Sequence, residues 1–255
     1  MYRVDINCDL GESFGNYKIG SDEEVIRLIS SANIACGFHA SDPLVMDKTV
    51  EMAKKYGVSV GAHPGFHDLM GFGRRKMDIT PYEARTIVQY QIGALNAFCR
   101  AHNTKMNHVK LHGALYNMAG KEFELALAVC EGIKAINPEL ILLALSGSKM
   151  IKAAKASGIR CASEVFADRA YNDDGSLVDR KKSGAVITDE NEAIKRVIRM
   201  IKEGMVTSIN GHDVPINAQS VCIHGDGIKA LKFAEKIRQN LENKNIEILS
   251  LEKWV

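Results

Sequence analysis

Six segments of this chain end a short apolar run in side chains that can move protons, carry charge or hold an ion. They are Asp5-Ile-Asn7-Cys-Asp9-Leu-Gly-Glu12, Asn33-Ile-Ala-Cys-Gly-Phe-His39-Ala-Ser-Asp42, Val60-Gly-Ala-His63-Pro64, Val109-Lys110-Leu-His112-Gly113, Cys161-Ala-Ser-Glu164 and Val221-Cys-Ile-His224-Gly225-Asp226. Asp5, Asn7 and Asp9 alternate, so on a strand their side chains share one face. Lone buried carboxylates are costly. Such a row is therefore either a hydrogen-bonded network tying strands together or a paired-carboxylate centre for acid–base or metal chemistry. Glu12 follows in the loop and could complete the centre. His39, His63, His112 and His224 stand at or just past expected strand ends, where imidazole suits proton transfer near neutral pH. His67, His102, His108 and His212 share that position less cleanly. No HExxH motif and no recognised zinc-ligand set is present, so no protein-held zinc is expected.

Anion binding has weaker signals. No P-loop is present. Gly71-Phe-Gly73-Arg74-Arg75 offers backbone donors and two guanidinium forks, and Ser146-Gly-Ser148-Lys149 follows a strand and opens a helix. A solvated basic loop and an ordinary helix cap explain them equally well. Asp42 reads as a helix N-cap, and Asp226 as a cap or a partner of His224. The six cysteines form no CxxC pair and read as small buried hydrophobes, with a cysteine nucleophile as the minor alternative and no disulfide framework expected.

These residues need elements that bring six distant segments to one place. Each run is short, β-branched and followed by a helical pattern, which is how parallel strands buried on both faces read. Strands are expected near 2–8, 32–36, 58–62, 107–111, 139–145, 159–163 and 219–223. Helices are expected near 22–30, 43–56, 81–102, 121–136, 148–157, 189–203 and 227–243. Ser21-Asp-Glu-Glu24 and Thr80-Pro-Tyr-Glu83 read as capping boxes, and Gly57, Gly158 and Gly204 as left-handed helix ends. No antiparallel hairpin signal interrupts the alternation. The fold class is thus α/β, a seven-stranded parallel β/α barrel in one domain spanning 1–255, with its site at the carboxyl ends of the strands. The long connections 64–79 and 164–188 both follow strands and so fall on that functional face.

The bulk numbers agree with a globular enzyme. The chain has 255 residues, 46% hydrophobic and 25% charged, with a net charge of +2. That balance favours neither nucleic acid nor an anionic membrane surface. No stretch approaches the roughly 18 apolar residues of a membrane span. The start, Met1-Tyr-Arg-Val-Asp5, lacks the pattern of a secretory leader, so a cytoplasmic location is expected.

Several of these motifs together resemble the LamB/YcsF family. They are Asp5 to Gly15, Ala35 to Asp42, Gly61-Ala-His63-Pro64 with Gly71-Phe-Gly73-Arg74, Lys110-Leu-His112-Gly113-Ala-Leu-Tyr116, and Glu164-Val-Phe-Ala-Asp168-Arg169-Ala-Tyr171. The resemblance extends to His224-Gly225-Asp226. It implies a barrel related to that of the polysaccharide deacetylases. It also implies ATP-dependent opening of 5-oxo-L-proline to L-glutamate, ATP with Mg2+ as the cofactor, and 5-oxoprolinase subunits B and C as partners. Asp9, Glu12, His39, His63 and His112 are then the catalytic candidates. Asp5, Asn7, Arg74, Lys110, Tyr116, Glu164, Asp168, Arg169, His224 and Asp226 are the substrate- and ATP-binding candidates. Two alternatives stay open: a metal-dependent deacetylase using Asp9, His39 and His63, and a substrate-binding subunit whose partners hold the chemistry.

Overall fold

Val4, Ile6, Cys8 and Leu10 are buried between barrel and helices, while Asp5, Asn7 and Asp9 alternate with them and point inside. That period of two organises the fold, because successive side chains of a strand leave opposite faces. The computed structural model describes residues 1–223 and 228–255. In chain order its elements are β1 (Tyr2–Leu10), α1 (Asp22–Val25), β2 (Ser31–Ala35), α2 (Pro43–Tyr56), β3 (Ser59–His63), α3 (Pro81–Ala101), β4 (Met106–Val109), α4 (Gly113–Ala119), α5 (Phe123–Ile136), β5 (Ile141–Leu145), α6 (Lys149–Ser157), β6 (Cys161–Phe166), α7 (Glu190–Glu203), β7 (Met205–Thr207), β8 (Asp213–Pro215), β9 (Ser220–Cys222), α8 (Ile228–Asn243) and β10 (Ile246–Ile248).

Strands β1 to β6 pair in sequence, and β9 closes the barrel between β6 and β1. All seven are parallel, with Cys222 level with Asn7 on one side and Phe166 on the other. The expected seven-stranded parallel barrel is therefore the observed one. Helix ends follow the local chemistry. Thr80 Oγ1 accepts from Glu83 N at 3.2 Å and Glu83 Oε2 accepts from Thr80 N at 2.7 Å, a complete capping box on α3. Gly57, Gly158 and Gly204 each end a helix in the left-handed conformation.

Four local expectations are corrected. The segment read as a capping box at Ser21 has no side-chain cap bond; Ser21 has φ −124° and ψ 58°, and the next residue, Asp22, accepts from Gly11 N at 2.9 Å. The helix expected over 22–30 stops at Val25; Ile26 and Ile29 are still buried, but as part of the path into β2. A short helix, α4, opens directly after β4 where none was expected. It begins at Gly113, whose φ of +54° and a would-be Cβ 2.6 Å from the Gly73 carbonyl both require glycine. Finally, β7 and β8 form an antiparallel hairpin after α7. The Asn210-Gly211 dipeptide at its turn was a legible signal. β10 adds a three-residue strand parallel to the start of β1.

Candidate active site

The barrel interior is filled by polar layers rather than by an apolar plug. In the lowest, Asp5 accepts from the hydroxyls of Ser30 and Ser31, each at 2.6 Å, and from Ser220. Burial, partly offset by these hydroxyls, raises its pKa to about 6. Above it, Asn7 donates to Ser220 at 2.7 Å and accepts from Asn33 at 2.8 Å, and Asn33 in turn contacts His108 Nε2 at 2.8 Å. Gly61 makes room for that imidazole, since a Cβ there would lie 2.1 Å from His108 Nε2. Asp5 and Asn7 are fully buried and do not line the cavity; the structure places them in the hydrogen-bonded network that ties strands together.

The next layer carries charge. Lys110 Nζ, only 3% exposed, lies 3.0 Å from Asp9 Oδ1, 2.8 Å from Glu164 Oε1 and 3.0 Å from Asn7 Oδ1. Burial opposes its charge, but the two carboxylates outweigh burial and hold the ammonium protonated, well above its ordinary pKa. Asp9 is the converse case. Burial would raise its pKa, and its neighbours His63 and Lys110 outweigh burial and drive it well below the usual range. Tyr116 donates to Glu164 Oε2 at 2.7 Å, and burial with that carboxylate pushes its phenol pKa well up. Lys110 is thus a fixed positive charge that orients two carboxylates.

At the cavity floor four side chains converge from the ends of four successive strands. His63 Nε2 lies 3.3 Å from Asp9 Oδ2 and 2.9 Å from His112 Nδ1. Glu12 Oε1 lies 3.3 Å from His39 Nε2 and 3.6 Å from His112 Nδ1. The His39 ring stacks on His112 with centroids 3.7 Å apart and planes 3° apart. Burial, together with neighbouring imidazoles, lowers the pKa of His39 well below normal and that of His112 to about 3. All five catalytic candidates therefore meet in one cluster. No zinc spacing is visible in the linear sequence, yet Glu12, His39, His63 and His112 present donor atoms within 4.8 Å of one another. The premise of the no-zinc expectation therefore does not carry over to three dimensions.

Above the cluster opens a cavity of about 770 Å³, and Asp9, Glu12, His63 and His112 form part of its lining. Its lining is also rich in cations: Arg74, Lys76, Lys121, Arg169, Arg180, Lys181 and Lys182 join Lys110 there, alongside apolar and neutral residues and Asp179. Of the two forks expected in the 71–75 loop, Arg75 is bound to Asp68, while Arg74 lies against the Phe72 ring and lines the cavity. The loop's amides are spent internally, Gly73 N on Asp68 O and Arg74 N on Gly71 O. Arg169 is half spent as well, donating to Val178 O at 2.6 Å within its own loop. Asp168 fastens the same loop through its carbonyl, which accepts from Ile187 N. The Ser146–Lys149 turn borders a second, smaller cavity, but its amides at Ser146, Ser148 and Lys149 already donate to Glu164, Leu145 and Gly120 carbonyls. Asp42 is the helix cap it reads as, accepting from Leu44 N and Val45 N. His224 and Asp226 lie outside the described residues.

Sequence reasoning missed Asn33 and His108, which hold the layer under Asp9. Each is a polar residue inside an apolar strand run, and that was the available signal. It also missed the Arg180-Lys181-Lys182 run on the long loop after β6.

The LamB/YcsF family profile matches residues 4–255. The chain is 69% identical to the 5-oxoprolinase A subunit of Clostridium beijerinckii over 253 residues, covering 99% of both chains. It is 57% identical to the 5-oxoprolinase A subunit of Campylobacter jejuni subsp. jejuni over 255 residues, covering 100% of both. The crystal structure of the lactam utilization protein from Thermus thermophilus superposes with a TM-score of 0.93 at 43% identity, covering 98% of this chain and 100% of that one.

Proposed function

The chain belongs to the LamB/YcsF family, and from that premise we propose that it acts as the A subunit of a 5-oxoprolinase, opening the lactam of 5-oxo-L-proline to L-glutamate. The observation that carries the chemistry is the pairing of Asp9 with His63 at the floor of a basic cavity. The names of the relatives supply the substrate.

A lactam is an amide and resists water, so the reading includes ATP, with Mg2+, as the activating cosubstrate. The terminal phosphoryl group passes to the lactam oxygen, water attacks the activated carbon, and the ring C–N bond breaks as the nitrogen takes a proton, leaving a glutamyl acyl phosphate. A second water hydrolyses that acyl phosphate to glutamate and phosphate, so the lactam, ATP and two waters balance ADP, phosphate and glutamate. Asp9, held ionised by Lys110, takes the proton from water, with His63 3.3 Å away to carry it on. Arg74 and the cations at the cavity mouth suit the substrate carboxylate and the phosphates. Glu12 and His39 brace the floor.

The complex is proposed to be cytoplasmic, with 5-oxoprolinase subunits B and C as partners. No helix among the described residues is long and apolar enough to cross a membrane. Coupling explains the need for partners: ATP cleavage is useful only when the activated lactam and water share a closed site. The test is to assay glutamate and ADP in parallel for the chain alone and for the three subunits mixed. Both products are expected together in the mixture and little of either from the chain alone. Stoichiometric production by the isolated chain refutes the dependence on partners; no glutamate from a verified complex refutes the activity.

A further inference from the structure

The facing nitrogens of His63 and His112 pose a problem that proton transfer alone leaves open. His63 Nδ1 lies 2.8 Å from the Lys110 carbonyl oxygen, and His112 Nε2 lies 2.8 Å from that of Phe72. A carbonyl only accepts, so each of these nitrogens bears its ring's proton. His63 Nε2 and His112 Nδ1 are then both lone-pair acceptors in the neutral rings. They face each other at 2.9 Å, with the ring planes 88° apart. Two acceptors at that distance call for a cation.

A proton on His63 Nε2 would serve His112 Nδ1 and Asp9 Oδ2 but would leave Glu12 Oε1 facing the His112 lone pair. A divalent ion would serve both nitrogens and the oxygens gathered around them, Glu12 Oε1 at 3.6 Å from His112 Nδ1 and Asp9 Oδ2 at 3.3 Å from His63 Nε2. Donors about 2.0–2.1 Å from a tetrahedral ion stand about 3.4 Å apart, close to these separations. Anchoring the far nitrogen of a histidine on a carbonyl is how proteins orient a metal ligand. His39 is excluded as a full ligand by geometry. Its ring is parallel to that of His112, so one ion cannot lie in both ring planes. It instead holds Glu12 from behind, and its own Nδ1 is buried without a hydrogen-bond partner.

We propose that His63 Nε2, His112 Nδ1 and Glu12 Oε1 form a three-donor site for a first-row transition dication of the zinc class, with its remaining position open to the basic cavity. Two imidazoles and one carboxylate suit such an ion better than Mg2+, which takes oxygen ligands, so this site is distinct from any Mg2+ that accompanies ATP. A bound ion makes His63 a ligand and leaves Asp9 as the base beside the open position. The site stands on its own geometry and does not require the 5-oxoprolinase reading.

The test uses the untagged full chain, stripped with chelator, checked for fold by circular dichroism, and titrated with Co2+ and then Zn2+. Saturation at a single equivalent is expected, with the visible absorption of four- or five-coordinate Co2+, and displacement by Zn2+. Glu12→Gln and His112→Gln weaken Zn2+ binding by about 100-fold or more. His39→Gln weakens it by about 10–100-fold, as loss of an outer partner does. His102→Gln, at a histidine paired with Asp47 away from the site, leaves it unchanged. Absence of saturable binding by the folded wild-type chain overturns the site, as does binding that Glu12→Gln and His112→Gln leave intact. Should a variant lose its fold, the wild-type Co2+ spectrum decides: an octahedral, all-oxygen spectrum overturns the site. Glutamate production by the assembled subunits is measured separately. Metal binding without activity removes the functional reading and keeps the site. Full activity in stripped protein that binds no metal removes the site and keeps the reading.

Discussion

Lys110 and Asp9 set the electrostatics of the whole site, and both are testable singly. Lys110→Met leaves the buried Glu164 and the half-buried Asp9 without the cation they share. Breaking a buried pair from one side costs about 3–5 kcal/mol, so urea unfolding at neutral pH should show a loss of that order. Asp9→Asn keeps the shape but removes the base; turnover of the assembled enzyme should fall by about 10²–10⁴-fold. Near-normal turnover in a folded variant removes the assignment. Asp5 makes a prediction about pH. Its folded pKa of about 6 lies above the ordinary 3.8, because burial disfavours its charge. Between those values the folded state keeps a proton that the unfolded chain releases, so stability falls as pH rises through the window. The full penalty, about 3 kcal/mol, is reached above it. Asp5→Asn should flatten that part of the stability curve in urea titrations at several pH values, and an unchanged slope counts against burial of Asp5 as its cause.

At the scale of elements, two similar sequences behave differently. Thr80-Pro-Tyr-Glu83 and Ser21-Asp-Glu-Glu24 both read as capping boxes, yet only the first caps. Thr80→Ala should cost about 1 kcal/mol in equilibrium unfolding and Ser21→Ala much less. Equal losses would contradict this difference in bonding. The difference was not legible locally, because the two segments share the same residue pattern while Ser21 opens a helix of only four residues in a backbone conformation (φ −124°, ψ 58°) unlike that of Thr80. Gly61 is a second case. Gly61→Ala drives a methyl into His108 and should cost about 1–3 kcal/mol, read as a lowered thermal midpoint. The strand could be read from Val60-Gly-Ala-His63; the reason for its glycine could not, because His108 comes from the neighbouring strand.

For the whole molecule, closure by β9 between β6 and β1 is what turns separate strand ends into one site. The seven barrel strands, their parallel closure and the gathering of strand-end acids and histidines at the carboxyl end were legible in the residue order, whereas α4, the β7–β8 hairpin and β10 were not read from it. The choice of Asp9, Glu12, His39, His63 and His112 as the catalytic set came from the family resemblance. Periodicity and end signals are local, and in a β/α barrel local order leaves few topologies. Which carboxylate faces the cavity, which lies under it, and which cations stay available were settled only by packing in three dimensions. Folding separated Asp5 from Asp9 along one strand, spent Arg75 on Asp68 and much of Arg169 on its own loop, and kept Arg74 at the mouth. It also set the lone pairs of His63 and His112 against each other. These outcomes depend on strand register and on contacts between residues as far apart as Asn7 and Ser220, 213 positions away. Side-chain type and spacing place a residue on a face of its own strand; what stands opposite is fixed only when the barrel closes.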